Sequence, residues 1–299
     1  MGKWVKALFF VLVFTLGFLC FSQVTLAQTD NAIYIHANGT VEGTDIITKQ
    51  GNVYTFTLDA VVNGDIIIQK NDIVIDGNGH ILQDARLVIS ELNNITVQNL
   101  VIQDTYYGTH GINVYISGIE VTNSSMVTIK NNTVTGTTFN TNEAGIKITG
   151  GNQNVITQNT IARNQKGLTI SNIIDYDTFI PIEVTVYNNN FYNDFDVEFS
   201  IMYGTHIPES QISFCNGTTG NYWQKYNGTD TDNNKTGDTP YVIAEMPRYT
   251  DDYPLMEPYG NPIVAIPEFQ AWMILPVLGA VATVAVILKK KLTKTPNWR

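Results

Sequence analysis

Acidic side chains alternate with apolar ones over residues 194–201, which read Asp-Phe-Asp-Val-Glu-Phe-Ser-Ile. Alternate side chains of a β-strand share one face, so Asp194, Asp196 and Glu198 are predicted to form an outward row while the apolar residues between them face the core. Carboxylates about 7 Å apart would hold a hard cation such as Ca²⁺ or act as general acid and base. A solvated strand face is the alternative, and it also fits a shorter acidic pair at 175–177.

A second group of oxygen donors lies further along the chain. Asp230, Asp232, Asn234 and Asp238 occupy alternate or nearly alternate positions, a spacing found in Ca²⁺-binding loops. Lys235 stands where such loops place glycine, and its charge would repel a cation. The pattern therefore predicts a weak Ca²⁺ site, with a solvated turn as the alternative.

Nitrogen and sulfur ligands are sparse. The chain has two cysteines and four scattered histidines, and no two of them have the spacing of a metal-ligand pair. The sequence thus predicts neither a structural zinc site nor a disulfide framework. No cofactor is expected apart from Ca²⁺.

Charge is distributed unevenly along the chain. The 299 residues include 17 Lys and Arg and 27 Asp and Glu, which gives a formal net charge of −10. Residues 28–270 hold all 27 acidic residues but only 10 of the basic ones, so this part carries −17. Because so acidic a body repels phosphate backbones, nucleic-acid binding is disfavoured.

The N-terminal residues have the organisation of a secretory signal peptide. Lys3 and Lys6 are followed by an apolar run at 7–19, and residues 25–27 (Thr-Leu-Ala) provide small residues at a cleavage site. We therefore predict a signal peptide over 1–27 and export of the remainder. An uncleaved membrane anchor is the alternative.

The C-terminal residues have the organisation of a membrane anchor. Residues 271–288 contain no charged side chain, and as a helix they would span about 27 Å. Three lysines begin the basic tail at 289–299, which places the C-terminus in the cytoplasm and the acidic body outside. This predicts a single-pass protein of the cell membrane, with residues 263–270 as a linker and a buried core helix as the alternative.

A tripeptide just before the predicted helix offers a different fate for it. Pro267-Glu268-Phe269 resembles the archaeal PEF-type C-terminal sorting signal. That resemblance implies removal of the helix by an archaeosortase. A permanent anchor is the simpler prediction.

Short phrases recur along the middle of the chain. The phrase apolar-x-x-Asn-x-apolar has copies at 129–134, 156–161 and 186–191, while 97–102 keeps the frame without asparagine. A second phrase, Gly-apolar-x-apolar, begins at Gly111, Gly145 and Gly167. Successive copies lie 22 to 34 residues apart, and each unit reads as short alternating strands broken by Asn and Gly.

Such units cannot bury an apolar face alone and must stack on their neighbours. The sequence therefore predicts an all-β fold, a right-handed parallel β-helix with about three strands per turn and turns ~4.8 Å apart. We expect the recurrent asparagine at a corner, where it tolerates left-handed backbone and bonds to the next coil. The predicted repeats cover 66–214, between an N-terminal β cap at 28–65 and a C-terminal cap at 215–262. A β-sandwich is the alternative.

Two sets of residues resemble known β-helix proteins. Residues 71–80 (Asn-Asp-Ile-Val-Ile-Asp-Gly-Asn-Gly-His) and the asparagine phrases resemble repeats of the pectate-lyase-like superfamily. Residues 220–223 (Gly-Asn-Tyr-Trp), 237–243 and 252–256 resemble the C-terminal part of NosD-like proteins. These are described as periplasmic copper-binding, and many occur on archaeal cell surfaces. The resemblance covers residues 66–258.

The resemblance implies two further activities. Catalytic members of the superfamily are lyases that use Arg or Lys beside Ca²⁺, or hydrolases that use aspartates with Gly-His-Gly and Arg-Ile-Lys motifs. His110 and Lys147 stand in incomplete versions of those motifs. An enzyme would therefore use Asp194, Asp196 and Glu198. Copper is implied by the NosD description alone, because the scattered Cys, Met and His residues are not spaced as a copper site.

The sequence also contains features expected of an exported protein that carries or binds glycans. Acceptor triplets for N-glycosylation begin at Asn38, Asn94, Asn123, Asn131, Asn216, Asn227 and Asn234. The tyrosines expected either to stack on sugar rings or to pack between loops are Tyr106, Tyr107, Tyr176 and Tyr192.

These features together predict a membrane-anchored surface β-helix that binds glycan or another surface ligand without catalysis. The glycan itself comes only from analogy with the superfamily. The alternatives are a polysaccharide lyase or glycoside hydrolase and a copper-binding accessory protein.

Overall fold

The computed structural model describes residues 27–29, 32–103, 117–136, 144–171, 174–175, 178–179, 182–200, 211–245 and 248–260. All of them belong to one compact unit, Met1–Pro262, and a second unit, Ile263–Arg299, lies outside them. Twenty-six β-strands, β1 to β26, run through the described ranges.

Most strands pair in parallel with the strand one coil away, and the stacked strands form three faces. Face one comprises β4 (Ile47–Gln50), β5 (Val53–Phe56), β7 (Ile73–Asp76), β9 (Ile95–Gln98), β12 (Thr128–Lys130), β15 (Gly151–Thr157), β20 (Ile182–Tyr187) and β23 (Ile212–Ser213). Face two comprises β10 (Val101–Gln103), β13 (Thr133–Thr135), β16 (Thr160–Ala162), β21 (Asn190–Tyr192) and β24 (Tyr222–Trp223). Face three comprises β2 (Ile33–Ile35), β11 (Ile119–Thr122), β14 (Ala144–Thr149), β17 (Lys166–Ser171) and β22 (Phe195–Ser200).

Two longer strands, β6 (Ala60–Ile68) and β8 (Ile81–Ser90), run through both face two and face three. Each contains one residue with a left-handed backbone, Asn63 at φ 50° and Asp84 at φ 52°. The two halves of β8 pair with β10 and β11 respectively. Faces two and three are therefore one 14-stranded sheet, while face one is a sheet of eight strands.

The strand register measures the length of each coil. On face one Val74 pairs with Thr96, Thr96 with Thr128, Thr128 with Val155 and Val155 with Thr185. The coils thus take 22, 32, 27 and 30 residues, which matches the spacing of the sequence phrases. The predicted all-β parallel solenoid with three strands per turn is confirmed, and the β-sandwich alternative is wrong.

The core is a set of side-chain columns, one residue per coil. On face two, for example, one residue of each strand points inward and is at most 1% exposed. These residues are Leu82, Ile102, Val134, Ile161, Phe191 and Trp223. Full burial of each large apolar side chain contributes about 1.5–3 kcal/mol, so the columns provide the main stabilisation of the stack.

The recurrent asparagines form a ladder at the corner between faces one and two. Its rungs are Asn132, Asn159, Asn189 and Asn221. Each rung's Oδ1 accepts the backbone N–H and an Nδ2–H of the rung before it, at 2.9–3.1 Å. The predicted bond between neighbouring coils is confirmed.

The expected left-handed backbone, however, belongs to the residue before the rung at three of the four rungs. Asn131, Gln158 and Asn188 have φ values of 52°, 59° and 58°. The rung residues themselves are absent from the left-handed region, so this part of the prediction is wrong. The turn is made by the preceding residue, and this leaves the asparagine side chain pointing along the stack.

Antiparallel strand pairs stand at both ends of the stack. At the N-terminal end β2 pairs with β3 (Val41–Glu42) and β4 with β5, and Tyr54 is fully buried with its hydroxyl donating to Gly39 O at 3.1 Å. At the C-terminal end β25 (Tyr241–Glu245) and β26 (Arg248–Asp251) form a hairpin. The remaining short strands are β1 (Ala27–Gln28), β18 (Ile174–Asp175) and β19 (Thr178–Phe179).

The predicted membrane segments fall at the margins of what is described. Residues 1–26 of the predicted signal peptide, the linker at 263–270, the helix at 271–288 and the tail at 289–299 lie outside the described residues. Among the residues that the structure describes, no helix has the length and apolar character to cross a membrane.

Candidate functional site on face three

The predicted row of outward carboxylates does not form. Asp194 is exposed, but Asp196 is buried, with 7% of its surface exposed, whereas Phe195 is 62% exposed. The prediction that Asp196 faces outward and Phe195 inward is therefore wrong. Glu198 does lie on the outer side of β22.

Asp196 is buried because it takes a position that belongs to glycine in earlier coils. The residues aligned there on face three are Gly118, Gly145, Gly167 and Asp196. A Cβ atom on Gly145 would lie 2.8 Å from Nδ2 of Asn164, and one on Gly167 would lie 2.5 Å from Nδ2 of Asn193. Glycine thus makes room for a second asparagine ladder at the corner between faces two and three.

Asp196 ends this second ladder. Asn193 accepts the backbone N–H and Nδ2–H of Asn164, and Asp196 Oδ1 in turn accepts the same two groups of Asn193, at 3.1 and 3.3 Å. Burial raises the pKa of Asp196, while Lys225, with its Nζ 4.0 Å from Oδ2, acts in the opposite direction. The carboxylate is thus part of the framework and is not free in a cleft.

Charged and hydroxyl side chains line the outer side of face three. The register aligns Glu120, Lys147, Thr169 and Glu198, one per coil. Glu198 pairs with Lys166 at 2.5 Å, and Lys147 Nζ lies 4.0 Å from Glu120 Oε1. The line therefore alternates in charge around a central threonine.

Arg86 extends this line toward the N-terminal coils. Its guanidinium makes a two-pronged contact with Asp65, at 2.8 Å from Nε and 2.6 Å from Nη2, and a third contact with Glu120 at 3.3 Å. All three side chains are about three-quarters buried. Bidentate pairing of this kind fixes the orientation of the guanidinium.

Two buried hydroxyl groups on face three, like that of Thr157 on face one, have no partner among the described residues. Oγ1 of Thr149 and Oγ1 of Thr169 are inaccessible to solvent and make no hydrogen bond, and Thr169 is only 5% exposed. A buried hydroxyl without a partner costs about 1–3 kcal/mol, so such groups call for an occupant. Sequence reasoning missed both, because Thr-rich strands carry outward threonines everywhere and the signal appears only with the fold.

Face three is also where long connections attach. The connections at 104–118 and 136–143 lead into β11 and β14, and those at 172–181 and 201–211 leave β17 and β22. Connections at the corner between faces one and two have two residues in the middle coils, as at 131–132, and are longer at the ends, with four residues at 77–80 and eight at 214–221. The longest connections therefore begin or end at face three.

The motif Gly220-Asn221-Tyr222-Trp223 serves the C-terminal end of the solenoid. Asp251 Oδ2 accepts the N–H of Asn221 at 2.6 Å and the indole N–H of Trp223 at 2.8 Å. A Cβ on Gly220 would lie 1.8 Å from Oδ1 of Asp251, so glycine is required there. Burial raises the pKa of Asp251 to about 6, against the opposing effect of its hydrogen bonds.

The predicted Ca²⁺ loop brings three of its four residues together. Carboxylate oxygens of Asp230, Asp232 and Asp238 lie within 4.8 Å of one another. Asn234 instead donates from Nδ2 to Asp232 at 2.9 Å. Hydrogen bonds from Thr231 lower the pKa of Asp238 and already occupy its Oδ2. Ca²⁺ binding at this loop stays a prediction.

The described residues do not fit copper, which prefers clustered sulfur and imidazole ligands. Both ring nitrogens of His36 are hydrogen-bonded, one of them to Glu42 at 2.7 Å, and this contact raises the pKa of the imidazole, which favours a protonated form unable to bind metal. His80 contacts Asp59 at 3.0 Å, and Cys215 lies beside Ser213. The one close group of ligating side chains in the described ranges consists of the hard loop carboxylates.

Several other predicted residues lie outside the described ranges, namely Tyr106, Tyr107, His110, Tyr176, Asp177 and His206. Tyr192, the fourth tyrosine expected to be exposed, is half-buried and packs against Tyr222 with ring centroids 5.5 Å apart. Burial raises its pKa to about 12. Tyr192 therefore follows the packing alternative, not the alternative of an exposed ring that stacks on a sugar.

Comparison with known proteins agrees with this architecture. The family model described as periplasmic copper-binding protein (NosD) matches residues 20–228, which is more than half of the chain. Neither the curated proteins nor the solved structures contain a match to the chain. The matched range includes the coils, both asparagine ladders and the Gly-Asn-Tyr-Trp motif, and the chain belongs to the NosD family.

Proposed function

We propose that this protein is a membrane-anchored solenoid outside the cytoplasm that binds a glycan on face three and does not alter it chemically. The periplasmic description of the NosD family supports export. The predicted signal peptide and C-terminal helix supply the anchor in this proposal.

The observation that carries the proposal is the line of polar side chains on the outer side of face three, in which Lys147 and Glu198 flank Thr169. The hydroxyls of Thr169 and of Thr149 in the adjacent coil have no partner among the described residues, as is also true of Thr157 on face one. Sugar hydroxyl groups both donate and accept hydrogen bonds, so they would pair with threonine, lysine and glutamate side chains together. The alternation of charge along the line suits a neutral or mixed-charge glycan better than a polyanion.

Binding without catalysis is favoured by the positions of the acidic side chains. Asp196 holds the second asparagine ladder, and Glu198 is paired with Lys166. General acid and base catalysis needs two carboxyl groups that face the same substrate bond. The alignment of Asp196 with a glycine column separates it from Asp194 and Glu198.

The test is binding of the full chain, in detergent, to an array of neutral and acidic oligosaccharides, followed by titration with the strongest one. Thr169→Val removes the hydroxyl at constant shape, and Thr185→Val is the matched control on the outer side of face one. We expect Thr169→Val to weaken binding about tenfold, the effect of one hydrogen bond of about 1.4 kcal/mol, and Thr185→Val to leave it unchanged. Equal effects of the two substitutions, or no binding at all, would refute the proposal.

The same oligosaccharides test the two alternatives. New reducing ends or unsaturated uronates would identify a hydrolase or lyase, and Glu198→Gln should then abolish their formation. Copper retained through dialysis at a stoichiometry of about one would instead support the copper-binding alternative. We expect neither products nor retained copper.

A further inference from the structure

We propose that N-linked glycans are attached at Asn38, Asn216 and Asn227, and that the four other acceptor triplets stay unmodified in the folded chain. The proposal requires export to the compartment where such transfer occurs, which is part of the proposed function. It goes beyond that function by assigning a covalent modification to three sites.

The three sites share one sequence, Asn-Gly-Thr, and all three asparagines are exposed. At Asn38 the side-chain Oδ1 accepts the backbone N–H of Thr40 at 2.9 Å and its hydroxyl at 2.8 Å. Asn216 makes the same pair of contacts with Thr218, at 3.0 and 2.9 Å. The glycines of these two turns have φ of 85° and 91°, a backbone that glycine adopts without strain.

This geometry leaves the reactive nitrogen available. The carbonyl oxygen of Asn38 and of Asn216 is held by threonine, while Nδ2 makes no hydrogen bond to any described residue. Asn227 makes no side-chain hydrogen bond within the described ranges. In each case Nδ2 is the atom that must reach a sugar donor.

The other acceptor asparagines, of which Asn94, Asn131 and Asn234 are also exposed, are held by side-chain hydrogen bonds or by partial burial. Asn94 Nδ2 donates to Asp72 at 2.9 Å and Asn131 Nδ2 donates to Asn99 at 2.7 Å. Asn123 is half-buried, with an enclosed carbonyl oxygen. Nδ2 of Asn234 donates to Asp232. Modification of these residues would break contacts between coils or within the acidic loop.

The transfer requires a lipid-linked oligosaccharide and an oligosaccharyltransferase. Asn Nδ2 attacks the anomeric carbon of the first sugar, a C–N bond forms, and the C–O bond to the lipid phosphate breaks. The phosphate leaves with the electron pair, and the nitrogen loses one proton to a base of the transferase. No oxidant or reductant is consumed.

The three sites lie at the two ends of the stack. Asn38 sits in the turn between β2 and β3 at the N-terminal end, and Asn216 and Asn227 flank β24 at the C-terminal end. Glycans there would cover the two ends of the stack, where unpaired strand edges invite association with other chains. The ligand surface would stay open.

The experiment uses the full chain purified in folded form from a host without oligosaccharyltransferase. It is incubated with a purified transferase and a lipid-linked oligosaccharide, and glycopeptides are identified by the mass of the attached glycan. Deamidation is not an adequate readout, because Asn-Gly pairs deamidate spontaneously. The same reaction on a digest made with a glutamate-specific protease, which leaves all seven triplets intact, reports whether the enzyme accepts each of them.

We expect glycan on Asn38, Asn216 and Asn227 in the folded chain, and at least tenfold less on Asn94 and Asn131, although the digest is modified at all of them. Comparable modification of Asn94 or Asn131 in the folded chain would overturn the proposal. So would an unmodified folded chain when the digested triplets react. Neither outcome depends on oligosaccharide binding, so failure of the proposed function is measured separately.

Discussion

The middle coils and the C-terminal end of the solenoid solve the same hydrogen-bonding problem with different residues. In the coils each asparagine finds an acceptor in the asparagine of the next coil. At the end the described residues form no further coil, and a carboxylate replaces the asparagine: Asp251 ends the first ladder and Asp196 the second. Asparagine both donates and accepts, which suits an interior rung, whereas a carboxylate only accepts, which suits the last one.

This difference indicates that the C-terminal motif resembling NosD proteins has a structural role. The residues that resemble NosD proteins most specifically surround Asp251, and their contacts close the stack. The line of polar side chains on face three lies instead in the middle coils. The C-terminal motif and the proposed ligand surface are therefore different parts of the molecule, although the family match over residues 20–228 includes both the middle coils and Gly-Asn-Tyr-Trp.

The largest expected effect comes from Asp251→Asn. The new amide nitrogen must face either the N–H of Tyr253 or the N–H groups of Asn221 and Trp223, so we expect the free energy of unfolding to fall by about 2–4 kcal/mol. Urea denaturation of the full chain in detergent measures it. Asp252→Asn, which alters the neighbouring exposed carboxylate, is the control and should change stability by less than about 0.5 kcal/mol. An equal loss in both variants would contradict the role of Asp251.

Asn189→Ala tests an interior rung. It leaves the backbone N–H and Nδ2 of Asn159 without their acceptor, and we expect a loss of about 2–3 kcal/mol in urea denaturation. Asn78→Gly serves as the matched control, since Asn78 is exposed at φ 51° and glycine keeps that backbone. A loss below about 1 kcal/mol for Asn189→Ala would show that the ladder contributes little.

The pH dependence of stability should distinguish Asp251, at the C-terminal end, from the asparagines of the coils, which do not titrate. The pKa of Asp251 is about 6 in the folded protein against 3.8 as its ordinary value, so the folded state binds this proton more tightly. Its contribution to the free energy of unfolding is complete below pH 3.8 and is lost as pH rises through about 6. The free energy of unfolding changes by up to about 3 kcal/mol over this range. The stability difference between wild type and Asp251→Asn should widen from about pH 7 to about pH 5. A constant difference would refute the raised pKa.

Gly145→Ala tests the fit between the glycine column and the second ladder. Its Cβ would lie 2.8 Å from Asn164 Nδ2, and overpacking of this kind costs about 1–3 kcal/mol. In an Asn164→Ala background the same substitution should cost at least about 1 kcal/mol less, as a double-mutant cycle would measure. Strict additivity of the two substitutions would contradict direct contact.

The smallest expected effect is Ca²⁺ binding by the acidic loop. Three carboxylates beside Lys235 predict a dissociation constant of about 0.1–1 mM, to be measured by calorimetric titration. Asp230→Asn should weaken binding, while Asp252→Asn should not. Titration heats that are the same in wild type and Asp230→Asn would remove the loop as a Ca²⁺ site.

Much of the fold could be predicted from the periodicity of the sequence, whereas the candidate site could not. The spacing of the asparagine phrases predicted the stacked coils because one rung per coil is a local requirement that every coil repeats. The inward position of Asp196 could not be read from alternation, since it depends on alignment with Gly145 and Gly167 one and two coils away. The hydroxyl of Thr169 likewise becomes distinctive only when burial and register are known.

The most direct test of the account is a crossed comparison of two variants, Thr169→Val on face three and Trp223→Phe in the C-terminal motif. We predict that Thr169→Val weakens oligosaccharide binding about tenfold without lowering stability in urea, because the hydroxyl that it removes is buried and has no partner among the described residues. Trp223→Phe, which removes the indole N–H from Asp251, should lower stability by about 1–3 kcal/mol and leave the affinity unchanged. Loss of binding in Trp223→Phe with full binding in Thr169→Val would contradict the separation of ligand surface and closing motif.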